Sequence, residues 1–282
     1  MTLVLDRMAI EEVGANPARL AAAIHLQLGA ATGAVPVNDI AHALDIQEIR
    51  VEHLSNIEGA LIAPPERGAG RILVNNSHPR RQRFTVAHEL GHYLSPHHVP
   101  TAETGFWCTQ SDLSVRPSSD RARHRRQEGE ANLFAIELLA PRSRARRFCT
   151  GRPDIARILE MVDSLDISRE AATRRYVELH REPLAVIFSQ NGRVRYTAWA
   201  ATFPALSIRT GAVMPELPVG PNGLSEVHDA DPEDWLAQKG RIALTVQTLH
   251  QKENWTTTLL HAPDLEDDQD EPEDAFDRIS RS

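Results

Sequence analysis

The chain predicts an α+β fold: a helical core carrying a small β-sheet, then a helical pair, then a small, mostly β C-terminal region. Three observations lead there. Apolar residues recur at helical spacing in 17–31, 83–94, 127–141 and 155–180. Short runs with strand character, 47–54, 59–62 and 71–75, are interleaved with the first of these. From Pro183 onward apolar runs are closed by turn residues instead. The expected division is 1–150 for the core, 151–182 for a helical extension, 183–262 for a β-rich domain and 263–282 for an acidic tail.

In 17–31, Leu20, Ile24 and Leu28 repeat every fourth residue. Asn16 suits the N-cap, Pro17 suits the first helical position, and Gly33 is expected to help end the helix. A short helix over 37–44 follows, with Asn38 or Asp39 near its start. The pair resembles half of a helix-turn-helix, but no Lys or Arg occupies 35–47, which argues against DNA binding there. Of the strand candidates, Arg71-Ile72-Leu73-Val74-Asn75 is the best formed. It is expected at a sheet edge beside the next helix, where an extended peptide can pair with its free backbone groups. After the helix of 83–94, Pro96 and Pro100 frame a loop, and loop histidines such as His97 and His98 are expected to be exposed. The polar stretch 101–120 reads as an irregular cover. A helix over 127–141 is closed by Pro141. Ile158, Leu159, Val162 and Leu165 form one stripe of the helical pair, and Ser168 caps its second member. Asn191-Gly192 between two apolar runs is a hairpin signal, and a second hairpin joins 242–249 to 255–261. Trp199, Trp235 and Trp255 are expected in the core of this region.

Composition narrows the function classes. No run of about 18 apolar residues exists, so no membrane span is expected. Residues 1–10 include Asp6 and Arg7 and lack a long apolar core, so no signal peptide is expected either. Cys108 and Cys149 lack metal-like spacing. A cytoplasmic location with both thiols reduced and buried follows. The net charge of −8 is unevenly spread. Arginines crowd 116–152 and read as a solvated face, while the acidic tail, poor in apolar residues, reads as disordered. The overall acidic balance argues against direct DNA binding.

The chemistry is concentrated in His88-Glu89-Leu90-Gly91-His92. Residues four apart on a helix lie about 40° apart around its axis, one turn up. His88 and His92 can therefore aim at one point, as two nitrogen ligands of zinc do. Glu89 is placed to act as general base on a water held there. In the later helix, Glu128, Ala131, Asn132, Ala135, Leu138 and Leu139 fall near one face, and the small alanines allow close packing. A third ligand is expected from that helix. Glu128 fits the face better than Glu130, which points with Leu133, Phe134 and Glu137; both remain open. His124 is further off in register and expected at the surface. Tyr93, His97, His98 and His124 are the candidates for an oxyanion donor.

The run from Arg83 to His92, together with Glu128-x-x-Ala131-Asn132-x-Phe134-Ala135-x-x-Leu138-Leu139-x-Pro141, resembles the ImmA/IrrE family of metallopeptidases over roughly residues 15–150. Ala140 stands where that family usually has Met, and the spacer from His92 to Glu128 is long. The resemblance implies a zincin-like core in which His88, His92 and Glu128 bind Zn2+ and Glu89 is the catalytic base. It also implies a substrate: a helix-turn-helix (XRE-type) repressor, whose cleavage relieves repression of stress or mobile-element genes. The alternative is a non-proteolytic regulator that binds and sequesters a transcription factor or an antitoxin-like partner.

Overall fold

The computed structural model describes residues 3–30, 32–64, 67–99, 105–109, 118–238 and 242–263. Chain compactness divides it into two units: one runs to Ala145 and includes Leu159–Ala172, the other takes Arg146–Ile158 and continues from Thr173. The helical extension expected at 151–182 is thus shared between them. The acidic tail beyond Pro263 lies outside the described residues.

The first unit opens with α1 (Arg7–Glu11), α2 (Pro17–Leu28) and α3 (Val37–Ala43). Asn16 Oδ1 accepts from the Arg19 N–H at 3.1 Å, the expected cap. The helix stops at Leu28 because Gly29 adopts φ 67, a turn earlier than Gly33. Strands β1 (Ile46–Glu52), β2 (Ile57–Ile62) and β3 (Gly70–Asn75) precede α4 (Pro79–Leu94), and β4 (Gly105–Thr109) follows it. The sheet order is β1-β3-β2-β4. Strand β3 is interior, parallel to β1 and antiparallel to β2, so the expected edge position is corrected. Alternation with one buried face looks the same at an edge and in the middle of a sheet, so the pattern of 71–75 carried no information on its partners. Strand β4 lies inside the stretch expected to be irregular and pairs with β2, Phe106 opposite Leu61. Of the rest of that cover, 101–104 and 110–117 lie outside the described residues and 118–120 begin the next helix.

Helix α5 (Ser118–Leu139) starts nine residues before the expected position of 127 and is followed by α6 (Arg142–Ala145). Residues 118–126 are rich in Arg, a good helix former, with no apolar rhythm to announce them. Every residue of α4 from Thr85 to Leu94 is buried, so that half of the helix is enclosed on all sides. Helices α4 and α5 touch through small residues. A Cβ on Gly91 would stand 3.0 Å from Phe134 Cδ1 and 3.2 Å from Ala131 Cα. The open end of α4 is fixed by two arginines: Arg80 donates to Asp163 and Asp166 at 2.9 and 3.1 Å, and Arg83 donates to the Val35 carbonyl at 2.8 Å.

Helices α7 (Ile155–Leu165) and α8 (Arg169–Leu179) follow, with Ser168 Oγ accepting from the Ala171 N–H at 3.1 Å. In the second unit, β5 (Leu184–Gln190) and β6 (Arg193–Trp199) form the expected hairpin. Asn191 and Gly192 take φ 51 and 69, the left-handed pair that a two-residue turn requires. After β7 (His228–Asp229) and α9 (Pro232–Trp235), β8 (Thr245–His250) and β9 (Trp255–His261) make the second hairpin, in an antiparallel sheet of order β6-β5-β9-β8-β7. Trp235 packs into its core with Ile187, Val194 and Leu260. Trp199 does not: it ends the edge strand β6 on the outward phase and is 53% exposed. Cys149 is buried, and burial pushes its thiol up to about 11. Among the described residues no helix is long and apolar enough to cross a membrane.

Candidate metal centre

One turn apart on α4, His88 and His92 present their Nε2 atoms 3.1 Å from each other. Glu128, from α5, completes a triangle: its Oε2 lies 3.2 Å from His88 Nε2 and its Oε1 3.4 Å from His92 Nε2. Zinc bonded to nitrogen and oxygen at about 2.0–2.1 Å sets tetrahedral ligand atoms about 3.3 Å apart. Each separation is close to that edge, the two to Glu128 running to its two different oxygens, so two imidazoles and one carboxylate stand where they could hold such an ion. His88 is oriented for it: its Nδ1–H donates to Asn132 Oδ1 at 3.0 Å, which leaves the Nε2 lone pair facing Glu128. Asn132 sits one turn beyond Glu128 on the same face of α5.

The electrostatics favour a cation at that point. Burial acts to raise the Glu128 carboxyl, but hydrogen bonding to His88 and His92 holds it well below the usual carboxylate range. Burial drives the His92 imidazole down to about 4 against the pull of Glu128. For His88, burial acts downward and is outweighed by Glu128, Glu89 and Asn132, so its pKa rises. The centre holds an ionised carboxylate and a neutral imidazole together, and stabilises positive charge between them.

Glu89 is fully buried beside His88. Its Oε1 lies over β2 where residue 59 is glycine: a Cβ there would run into Thr85 Cγ2 and come within 2.8 Å of Glu89 Oε1. The absence of a side chain at Gly59 is what seats the carboxylate.

The fold brings together His88, His92 and Glu128, with Glu89 adjoining. Glu130 belongs to a different cluster, its Oε2 2.5 Å from His97 Nε2 and 2.9 Å from His98 Nε2. Two expectations are corrected. His98 is buried, because its loop folds back on α5 and Arg67 donates to its carbonyl at 2.9 Å. His124 is buried as well, with Nδ1 3.8 Å from Glu128 Oε1, because α5 begins early enough to carry it one turn before that glutamate. The Tyr93 hydroxyl is engaged by the carbonyls of Arg67 and Gly68 and by Arg7. Of the oxyanion candidates, His98 meets His92 at Nδ1, away from the nitrogen that faces Glu128, while His124 faces the Glu128 carboxylate. Asn132 went unassigned in the sequence although its helical spacing from Glu128 signalled it; nothing in the sequence signalled that His98 turns inward.

Two imidazoles one turn apart and a carboxylate from a second helix make a group that could hold a metal ion, with a buried glutamate beside the first imidazole. Residues 43–176 are similar to the Peptidase M78 family model, the IrrE N-terminal-like domain. The structure is similar to that of a Mycobacterium tuberculosis transcriptional regulator, with a TM-score of 0.55 at 16% identity over 91% of this chain and 79% of that one. At that identity the likeness speaks for the fold. No curated protein matches the chain.

Proposed function

We propose that the protein is a zinc-dependent endopeptidase of the cytoplasm that cleaves a helix-turn-helix repressor of XRE type and so relieves repression of stress or mobile-element genes. The observation that carries the hydrolytic part is the near-equal spacing of His88 Nε2, His92 Nε2 and the Glu128 carboxylate, from 3.1 to 3.4 Å, next to the buried Glu89. His88, His92 and Glu128 hold the ion. Zinc, when bound, supplies a Lewis acid that polarises the scissile carbonyl and brings a water's pKa toward neutrality. Glu89 accepts the proton of the attacking water and returns it to the leaving nitrogen. Its seat against Gly59 keeps the carboxylate in one place between the two transfers. Of the four candidates, His124, 3.8 Å from the Glu128 carboxylate, is the donor we assign to the developing oxyanion. Strand β4 borders β2, and an extended substrate segment can pair along its outer edge.

The resemblance to ImmA/IrrE peptidases supports a repressor as the substrate. The test is incubation of the zinc-loaded protein with the repressor encoded beside it, followed by intact-mass analysis. Discrete fragments from the unaltered protein and none from Glu89→Gln are expected. Zinc content of the variant should stay near one per chain. Cleavage at the normal rate by Glu89→Gln would remove it as the base. A second reading, sequestration of a transcription factor without cleavage, is favoured by the description of the fold neighbour as a transcriptional regulator. Stable binding of the intact repressor by the zinc-loaded protein, with no fragments, would select it.

A further inference from the structure

His92 does not end at the metal centre. Its Nδ1 lies 2.9 Å from His98 Nδ1, and His98 Nε2 lies 2.9 Å from Glu130 Oε2. We propose that His98 and Glu130 are positioning residues for the second imidazole ligand, a buried relay of hydrogen bonds that fixes the orientation and tautomer of His92. The inference rests on the reading of His88, His92 and Glu128 as a metal site.

The direction of each bond follows from the chemistry. A His92 that offers Nε2 to an ion carries its proton on Nδ1 and donates it to His98 Nδ1. His98 then bears its own proton on Nε2 and donates to Glu130. A neutral imidazole bonded at one end to a carboxylate is a better acceptor at the other, and the added electron density strengthens His92 as a ligand. Burial favours the device: His92 is 0% exposed and His98 2%, so water does not replace either bond. Glu130 is held in turn by Arg126, whose Nε donates to Oε1 at 2.9 Å, and by His97.

His97, His98 and Glu130 also have the composition of a second metal site. Both rings bond one oxygen of that group, Glu130 Oε2, at 2.5 and 2.9 Å, and His98 turns its other nitrogen to His92, so the relay and an ion at this cluster are alternatives that zinc stoichiometry separates.

The experiment is zinc titration of the full chain against a chromophoric chelator, with the absorption spectrum of the Co2+-loaded protein as second readout. His98→Ala is expected to weaken zinc binding by about 10- to 100-fold and to shift the Co2+ bands. His98→Gln, whose amide offers an acceptor and a donor about as far apart as the ring nitrogens, should recover most of the affinity. Glu130→Gln should weaken binding less than His98→Ala. His97→Ala, which removes one of the groups that hold Glu130 but neither bond of the relay, should weaken binding less than Glu130→Gln. Unchanged affinity and spectrum in His98→Ala, or in Glu130→Gln should His98→Ala not fold, would overturn the proposal. So would two zinc ions per chain falling to one in His97→Ala. An unaltered protein that binds no zinc would overturn the metal reading itself, and the relay with it.

Discussion

Gly59 offers the sharpest test of how the centre is built. Gly59→Ala places a Cβ against Thr85 Cγ2, 2.8 Å from Glu89 Oε1 and 3.3 Å from the Leu73 carbonyl. The last is backbone of the central strand, and Thr85 is a β-branched residue on the enclosed half of α4, stiff at χ1. Overpacking of this kind costs about 1–3 kcal/mol. Thr85→Ser alone removes one buried methyl group, about 1 kcal/mol. It keeps the hydroxyl that donates to the Arg81 carbonyl at 3.1 Å. Independent effects would sum to about 2–4 kcal/mol in the double variant. Relief of the collision predicts instead that the double variant is no less stable than Gly59→Ala, a coupling of about 1 kcal/mol or more. The assay is urea unfolding of the metal-free protein followed by hydrogen exchange in peptides of α4, because two units need not unfold together. With a slope of about 2 kcal/mol per molar urea, a 2 kcal/mol loss moves the midpoint about 1 M. Zinc affinity should be retained in Gly59→Ala, since its ligands stand on α4 and α5, while peptide cleavage falls by about 100-fold from a misplaced Glu89. An unchanged midpoint for Gly59→Ala, or losses that simply add, would refute the packing argument.

Zinc at a hundred times its Kd should stabilise the unaltered protein by about 2.7 kcal/mol and Glu128→Ala hardly at all, and a chelator should reverse the gain; calorimetric scans check both. The metal-free protein should lose stability in acid. Burial lowers His25, His92 and His98 below 6.5, so the unfolded chain takes up their protons first; their contribution is full above about pH 6.5 and is lost as pH falls. His88, whose pKa is raised, works the other way, and urea midpoints from pH 7.5 to 4.5 should still decline; a flat or rising profile contradicts the assignment. Cys149, pushed up to about 11 by burial, should resist iodoacetamide at pH 8 until urea opens the second unit; peptide-resolved mass spectrometry reads the rate.

What the sequence made legible was whatever has a local period or a local chemistry. The α+β layout, the cap at Asn16, the Asn191-Gly192 turn and the His88/His92 pair each depend on residues within a few positions of one another. Partner-dependent facts were hidden. The interior place of β3 depends on β1 and β2, and the edge strand β4 on a register that no alternation announces. The early start of α5 was masked because arginine-rich turns have propensity without amphipathic rhythm, and His124, expected off in register, is four residues before Glu128 and shares its face. His98 looked like an exposed loop residue because the proline before it says only that the helix stops, not where the chain goes next.

The choice between Glu128 and Glu130 shows how far periodicity alone can reach. Two residues apart on a helix are about 200° apart around it, so they cannot serve one point in space. Glu128 faces α4 and meets His88 and His92 directly. Glu130 faces away from that triangle, yet it is not idle, because the loop after α4 carries His97 and His98 round to it. The two carboxylates therefore act on His92 from opposite ends, one across the ligand atoms and one through His98 Nδ1. A helix can do this only if the chain leaving its neighbour turns back sharply, and Pro96, placed directly before the two histidines, ends α4 at the point where that return begins.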